Sequence, residues 1–177
     1  SEGKVKIFKT DDSGREQIVR LAQEGDFLGY RALLSGENYN SSATILENAK
    51  VCFIPKSSFT DLISKDKEFQ NKLMQAVCHD LGVMEQKMAD MANKTVRQRL
   101  ATTLLMLKSS YGIDGDEKSE IDIALTREDL AKIVGTATET LIRLLSDFKK
   151  DGLIDLNGKK ISILDEKGIA KEIDLFA

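Results

Sequence analysis

The sequence predicts an α+β chain in three parts: a β-rich module, one long helix, and a compact unit of short helices closed by a hairpin. Three patterns predict it. Apolar and polar residues alternate near the start, apolar residues return in steps of three and four between positions 65 and 93, and glycines divide the last third into short pieces. At 177 residues the chain is long enough for two small cores, and its 41% hydrophobic and 31% charged residues are those of an ordinary globular protein.

In the first part, Val5 and Ile7 alternate with lysines, Asp11-Asp12-Ser13-Gly14 marks a turn, and Gln17 to Leu21 resumes the extended run. Ser42 to Leu46 and Val51 to Ile54 are two further expected strands, reached through the glycine-bearing segment Gly25 to Gly36. A strand this close to residue 1 raises the expectation that earlier strands of the sheet are missing from the chain.

The pattern turns helical from about Lys65 to Asn93, where Val77, Leu81, Met84, Met88 and Met91 form an apolar seam. Such a seam suits the interface of a homodimer, with methionines giving an adaptable contact. The competing reading is an amphipathic helix lying on its own domain. Ala92-Asn93-Lys94-Thr95 interrupts the run as a hinge, and Val96 to Ser110 forms the next helix, with Leu100, Leu104, Leu105 and Leu107 on a core face. Gly112 to Glu120 is expected as an exposed loop and Ile121 to Leu125 as a short strand.

Composition excludes several classes. The longest apolar stretch, around Leu100 to Leu107, is far below the roughly 18 residues of a membrane span, and the polar start is no signal peptide, so a cytoplasmic protein without membrane contact is expected. Cys52 and Cys78 lie far apart without metal-ligand spacing and are expected as buried, inert thiols. No nucleophile-histidine motif, phosphate loop or metal cluster is legible, so the chain is not expected to be an enzyme, and no cofactor is predicted. The net charge of −3 argues against nonspecific coating of nucleic acid, which needs a strongly basic surface.

The last third carries the chemistry. Thr126 opens a short helix with Asp129 three residues later, Gly135 allows a tight turn, and Thr136-Ala137-Thr138-Glu139 reads as a capping box for a second helix. In that helix Leu141, Leu144, Leu145 and Phe148 fall at core spacing, leaving Thr138, Glu139, Ile142 and Arg143 on the opposite face. Such a face suits a major groove of double-stranded DNA. Arg143 can donate two parallel hydrogen bonds to guanine, Glu139 can accept from a cytosine amino group, and Thr138 and Ile142 can touch thymine methyls. The bland alternatives are a capping role for Glu139 and an intrahelical ion pair between Glu139 and Arg143. Gly152 is expected to cap the helix, and Asn157-Gly158 signals a type I′ hairpin, a wing beside the helix-turn-helix. Lys159 and Lys160 near its tip and Arg127 are candidate phosphate contacts; a merely solvated hairpin tip is the competing reading.

The run LTREDLAKIVGTATETLIRLLSDFKKDGLIDLNGKKISI resembles the winged helix-turn-helix of the Crp/Fnr family of bacterial transcription regulators, and GREQIVRLAQEGDFLGYRALLSGENYNSSA resembles the later strands of that family's cyclic-nucleotide-binding β-roll. The resemblance implies a partial, cyclic-nucleotide-binding-like β-roll over residues 1–65, a dimerisation helix over 66–93 and a winged helix-turn-helix DNA-binding domain over 94–177. It also implies a homodimer on a palindromic site with TGA half-sites, read by Glu139 and Arg143, and RNA polymerase as a partner. Thr138 stands where one branch of the family has another arginine.

The same resemblance points to an effector pocket formed by Gly29, Tyr30, Arg31, Ala32, Ser41, Ser42, Met84 and Glu85. Tyr30 and Ser41 align with a glutamate and an arginine that hold the ribose and phosphate in cyclic-AMP binders. A serine lacks the charge-assisted bidentate contact of arginine, so cyclic AMP is not expected. A different small-molecule effector, of unknown identity, is expected; the alternative is a constitutive DNA-binding dimer whose β-roll has lost its ligand.

Overall fold

In the computed structural model, residues 3–112, 119–121 and 125–174 are described. The chain begins with β1 (Val5–Thr10), which pairs antiparallel with β2 (Glu16–Ala22) on one side and β3 (Ser42–Ile45) on the other. The turn between β1 and β2 is organised by Asp11, whose carboxylate accepts from the Ser13 hydroxyl and from the backbone N–H groups of Ser13 and Arg15. These bonds, the Ser13 hydroxyl foremost, hold the Asp11 carboxyl down at about 2. The ladder slips between Ile7 and Phe8: Ile7 faces Arg20 and Phe8 faces Ile18, so Val19 is an extra, bulged residue.

Between β2 and β3 lies a short helix, α1 (Tyr30–Ser35), flanked by Gly29 and Gly36 in left-handed conformation. Residues 51–54 do not form the expected strand, because no strand among the described residues pairs with them; Phe53 is 85% exposed. The helical region also starts earlier than expected and is broken once. Helix α2 (Lys56–Lys65) follows Pro55, and α3 (Lys67–Asn93) begins at Asp66, whose carboxylate caps the new helix by accepting from the N–H groups of Glu68 and Phe69. Phe69 of α3 stands edge-on to both Phe59 of α2 and Phe27, with ring centres 6.0 and 5.9 Å apart, which fixes α2 and the β-module on the start of α3. No helix among the described residues is long and apolar enough to cross a membrane. Both cysteines are exposed, contrary to the expected burial: Cys52 lies in the unpaired stretch and Cys78 on the outer face of α3.

Helix α4 (Val96–Tyr111) starts with a capping box in which Thr95 and Gln98 exchange bonds. Next come β4 (Ser119–Glu120), α5 (Arg127–Val134), α6 (Thr138–Lys150), β5 (Ile154–Asn157), β6 (Lys160–Ile163) and α7 (Glu166–Asp174), with the small sheet ordered β4-β6-β5. Of the strand expected over Ile121 to Leu125, Ile121 forms a bridge to Gly112, while residues 122–124 lie outside the described residues, as do 113–118 of the expected loop. Helix α7 lies beyond the elements that the sequence pattern predicts. Its Ile169 is fully buried, and Arg97 of α4 holds it through Glu172, with Nε–Oε2 2.6 Å and Nη2–Oε1 2.8 Å, while stacking 4.6 Å over the Phe148 ring.

The core of the last third, built from Leu100, Leu104, Leu130, Leu141, Leu145, Phe148, Ile154 and their neighbours, is continuous with Ile18 of β2. The β-module therefore rests directly on the helical unit. Polar contacts rim this junction: Lys6 Nζ lies 2.5 Å from the Asp129 carboxylate, Lys132 bonds Glu16 at 2.7 Å, and the Gln17 amide donates to the Lys132 carbonyl. Lys87 of α3 donates to the Ile18 carbonyl at 2.9 Å, and burial pushes the Lys87 amine below its usual range.

Burial alone would raise the Asp129 carboxyl, but the bonds from Lys6 and Thr126 outweigh it and hold the group below its ordinary value. A carboxyl lowered by folding contributes stability in full above the ordinary carboxylate pKa of about 4, and loses it as pH falls through the lower folded-state value. Lys6→Met is accordingly expected to cost about 2–3 kcal/mol at pH 7, because it leaves a buried carboxylate short of a partner. Urea unfolding of both proteins checks this, and the gap between them should narrow as the pH is lowered from 5 to 3.

Candidate nucleic-acid interface

Helix α5 is fixed at both ends. Thr126 and Asp129 form the expected capping box, and Gly135 closes the other end with φ +73°. The Gly135 and Thr136 N–H groups both donate to the Ala131 carbonyl, at 2.8 and 3.1 Å. Thr136 therefore belongs to the end of α5, and the capping box expected at the start of α6 does not form: Ala137 occupies the N-cap with no side-chain bond. The first N–H groups of α6 thus lack a side-chain cap and lie at the positive end of the helix dipole.

On α6 the two faces separate cleanly. Leu141, Leu145 and Phe148 are buried, whereas Glu139 and Arg143 are exposed, Ile142 is 49% exposed and Thr138 is half-buried. Glu139 and Arg143 sit four residues apart, yet no ion pair joins them, and among the described residues Arg143 makes no hydrogen bond. The two groups on this face are therefore unspent. An isoleucine half open to solvent between them suits an apolar contact to a partner better than a place in the core.

The wing lies beside this face, though its turn differs from the expected type. Asn157 pairs with Lys160, so Gly158 and Lys159 form the two-residue loop. Gly158 has φ +58° and among the described residues no non-glycine residue, Lys159 included, has positive φ, which fits type II′ and excludes type I′, where both central residues need positive φ. Arg127, at the start of α5, donates to the Gly158 and Lys159 carbonyls at 2.8 and 3.3 Å. It ties the wing to the helix-turn-helix, so its guanidinium is partly occupied before any phosphate arrives. Lys159 is exposed at the tip. Helix α6 and the wing are joined again by Lys149, 2.9 Å from Asp155.

Sequence reasoning missed Arg99. Its Nε donates to the Val134 carbonyl at 2.9 Å, Nη2 to Gly135 at 3.1 Å and Nη1 to Lys94 at 2.8 Å, so one guanidinium holds the turn before α6 and the hinge after α3. No sequence signal separates Arg99 from Arg97, two residues away, because its partners are backbone carbonyls.

The residues expected around an effector are distributed differently. The Tyr30 hydroxyl donates to Asp80 of α3 at 2.5 Å, and Arg20 lies 2.9 Å from the same carboxylate. Burial, then the hydrogen bond to Asp80 and that carboxylate's charge, pushes the Tyr30 hydroxyl up to about 12. Arg31 donates instead to Asn40 at 2.6 Å, and the Ser41 hydroxyl reaches the same Asn40 oxygen at 3.3 Å. Ala32 is half-buried, Ser42 is exposed on β3, and Met84 and Glu85 are exposed on α3. A Cβ on Gly29 would lie 2.9 Å from the Tyr39 ring. Tyr30 thus reaches α3, whereas Arg31 and Ser41 are turned to the loop. Among the described residues no cluster of histidine, cysteine, aspartate or glutamate could hold a metal.

Comparison with known proteins agrees with both halves of this geometry. A Crp-like helix-turn-helix domain matches residues 98–172, and a cyclic nucleotide-binding domain matches residues 1–66. The chain belongs to the Crp/Fnr family of transcription regulators. Among its relatives is the transcriptional activator protein anr of Pseudomonas aeruginosa, 29% identical over 163 residues that cover 92% of this chain and 66% of the relative. Another is the fumarate and nitrate reduction regulatory protein of Vibrio cholerae, 28% identical over 176 residues, 96% of this chain and 70% of that protein. The chain thus spans about two thirds of the length of these Crp/Fnr regulators. The structure of FixK2 from Bradyrhizobium japonicum shares the fold, with a TM-score of 0.85 and 24% identity over 96% of this chain and 83% of that one. These relatives are regulators rather than enzymes.

Because Arg127 braces the wing and presents charge beside it, Arg127→Ala is expected to weaken binding to all duplex sequences alike and to reduce the slope of log K against log salt by about 1. Titration of one specific and one scrambled duplex at several salt concentrations measures both.

Proposed function

We propose that this Crp/Fnr protein acts as a homodimer that reads a palindromic DNA site, each chain placing α6 in the major groove of one half-site. The observation that carries this reading is the division of α6: a fully buried apolar face behind, and in front an unpaired Glu139 and Arg143 flanking a half-exposed Ile142. Arg143 reads a guanine through two parallel bonds, Glu139 accepts from a cytosine amino group, and Ile142 and Thr138 contact methyl groups or the backbone. The half-site contains TGA, as the family resemblance implies. Arg127 and Lys159 contact phosphates and set register.

The dimer seam is the exposed side of α3. Leu81, Met84, Met88 and Met91 recur there in steps of three and four, and Met88 is 72% exposed in the single chain. A continuous apolar stripe of this kind on a helix of 27 residues is best covered by a second copy of the same helix. The effector of the β-module is not cyclic AMP: Tyr30 at the ribose position is engaged with Asp80, and Ser41 at the phosphate position bonds Asn40.

Selection from a random DNA pool tests the reading. The parent chain is expected to enrich a palindrome with TGA half-sites, and Arg143→Ala to lose preference at one guanine by about 1–3 kcal/mol, roughly 5- to 150-fold. Enrichment of no sequence by the parent sinks the reading. For the seam, Leu81→Asp is expected to turn a dimer into a folded monomer in sedimentation equilibrium, with an unchanged circular dichroism spectrum.

A further inference from the structure

The turn that launches α6 touches the end of α3 in two ways. Three carbonyls near helix ends, those of Lys94, Val134 and Gly135, are held by the single guanidinium of Arg99. Met91 of α3 packs its thioether against Gly135, so closely that a Cβ there would lie 2.9 Å from the sulfur. Lys94 itself bonds Asp90 of α3 at 3.0 Å and Thr102 of α4 at 3.3 Å, which anchors the hinge to both helices. Arg99 and Met91 therefore form one junction between the seam helix and the reading head.

We propose that Arg99 is a positioning residue for DNA reading: it fixes the angle between α3 and the turn before α6, and thereby the separation of the two α6 helices in a dimer. This inference rests on the DNA-reading role of α6 proposed above. A guanidinium directs its donors in fixed, coplanar directions, so bonding three carbonyls at once sets an orientation as well as a distance. The lysine ammonium keeps the charge without the fork. The tolerance is small, because half-sites lie about 34–36 Å apart. A change of about 3.4 Å along the duplex is already one base pair.

The test uses the whole chain and duplexes carrying two copies of the half-site selected by the parent, at the selected spacing and at one base pair more or less. The parent is expected to prefer one spacing by about tenfold or more, about 1.4 kcal/mol. Arg99→Lys is expected to keep the base preference within each half-site and to lose most of the spacing preference. Full spacing preference in Arg99→Lys overturns the inference. So does a matching loss of base preference, which would make Arg99 a builder of α6 rather than its positioner. If Arg99→Lys fails to fold, Arg99→Gln, whose amide offers two donors and no charge, is read by the same two criteria. A parent chain that selects no sequence overturns the reading role of α6, and this inference with it.

Discussion

Much of the architecture depends on one carboxylate. Asp129 closes the capping box that starts α5 and also receives Lys6 from β1 across 123 positions of sequence. The first duty gives α5 its start, and the second seats α5 on the sheet. From there the order is fixed: α5 ends at Gly135, the turn is held by Arg99, and α6 follows with its apolar face already committed to the core. A short polar contact at the edge of an otherwise apolar junction thus selects one docking among those that apolar burial alone would tolerate, since burial is not directional.

The charge balance of the chain follows the same division of labour. A net charge of −3 is unusual for a protein that approaches a polyanion. Many of its basic groups are neutralised within the fold: Arg97 by Glu172 and Asp151, Lys132 by Glu16 and Glu128, Lys108 by Glu166. Arg143 stays clear of such pairs, and Lys159 stands exposed at the wing tip. The unpaired positive charge on the α6 and wing side is therefore local and sparse, and on the reading proposed above it favours recognition of a sequence over adhesion to any duplex.

The three-part order, the long α3, the helix-turn-helix and the wing were legible in the sequence because each has a local signature: periodicity, a Thr-x-x-Asp box, glycine turns. What stayed hidden has a common cause. The segment Val51 to Ile54 is apolar and extended like a strand, but a strand also needs a neighbour. Thr136 and Glu139 have capping-box spacing, yet the backbone N–H of Thr136 was already spent on α5. Asn157-Gly158 suggested one hairpin type, and the pairing of Asn157 with Lys160 moved the turn by one residue. The Lys6–Asp129, Gln17–Lys132 and Arg99 contacts join distant positions or backbone atoms, and neither leaves a pattern along the chain.

The bulge at Val19 has a consequence for how the two halves of the molecule know of each other. Strict alternation would put residues 18 and 20 on the same face of β2. Because Val19 goes uncounted, Ile18 turns with Phe8 and Lys6 toward the helical unit, while Arg20 turns with Ile7 toward Asp80 and Tyr30. One strand so acquires two addresses two residues apart. Arithmetic parity, broken once, lets one strand carry the Tyr30–Asp80 cluster on one bank and the helix-turn-helix unit on the other.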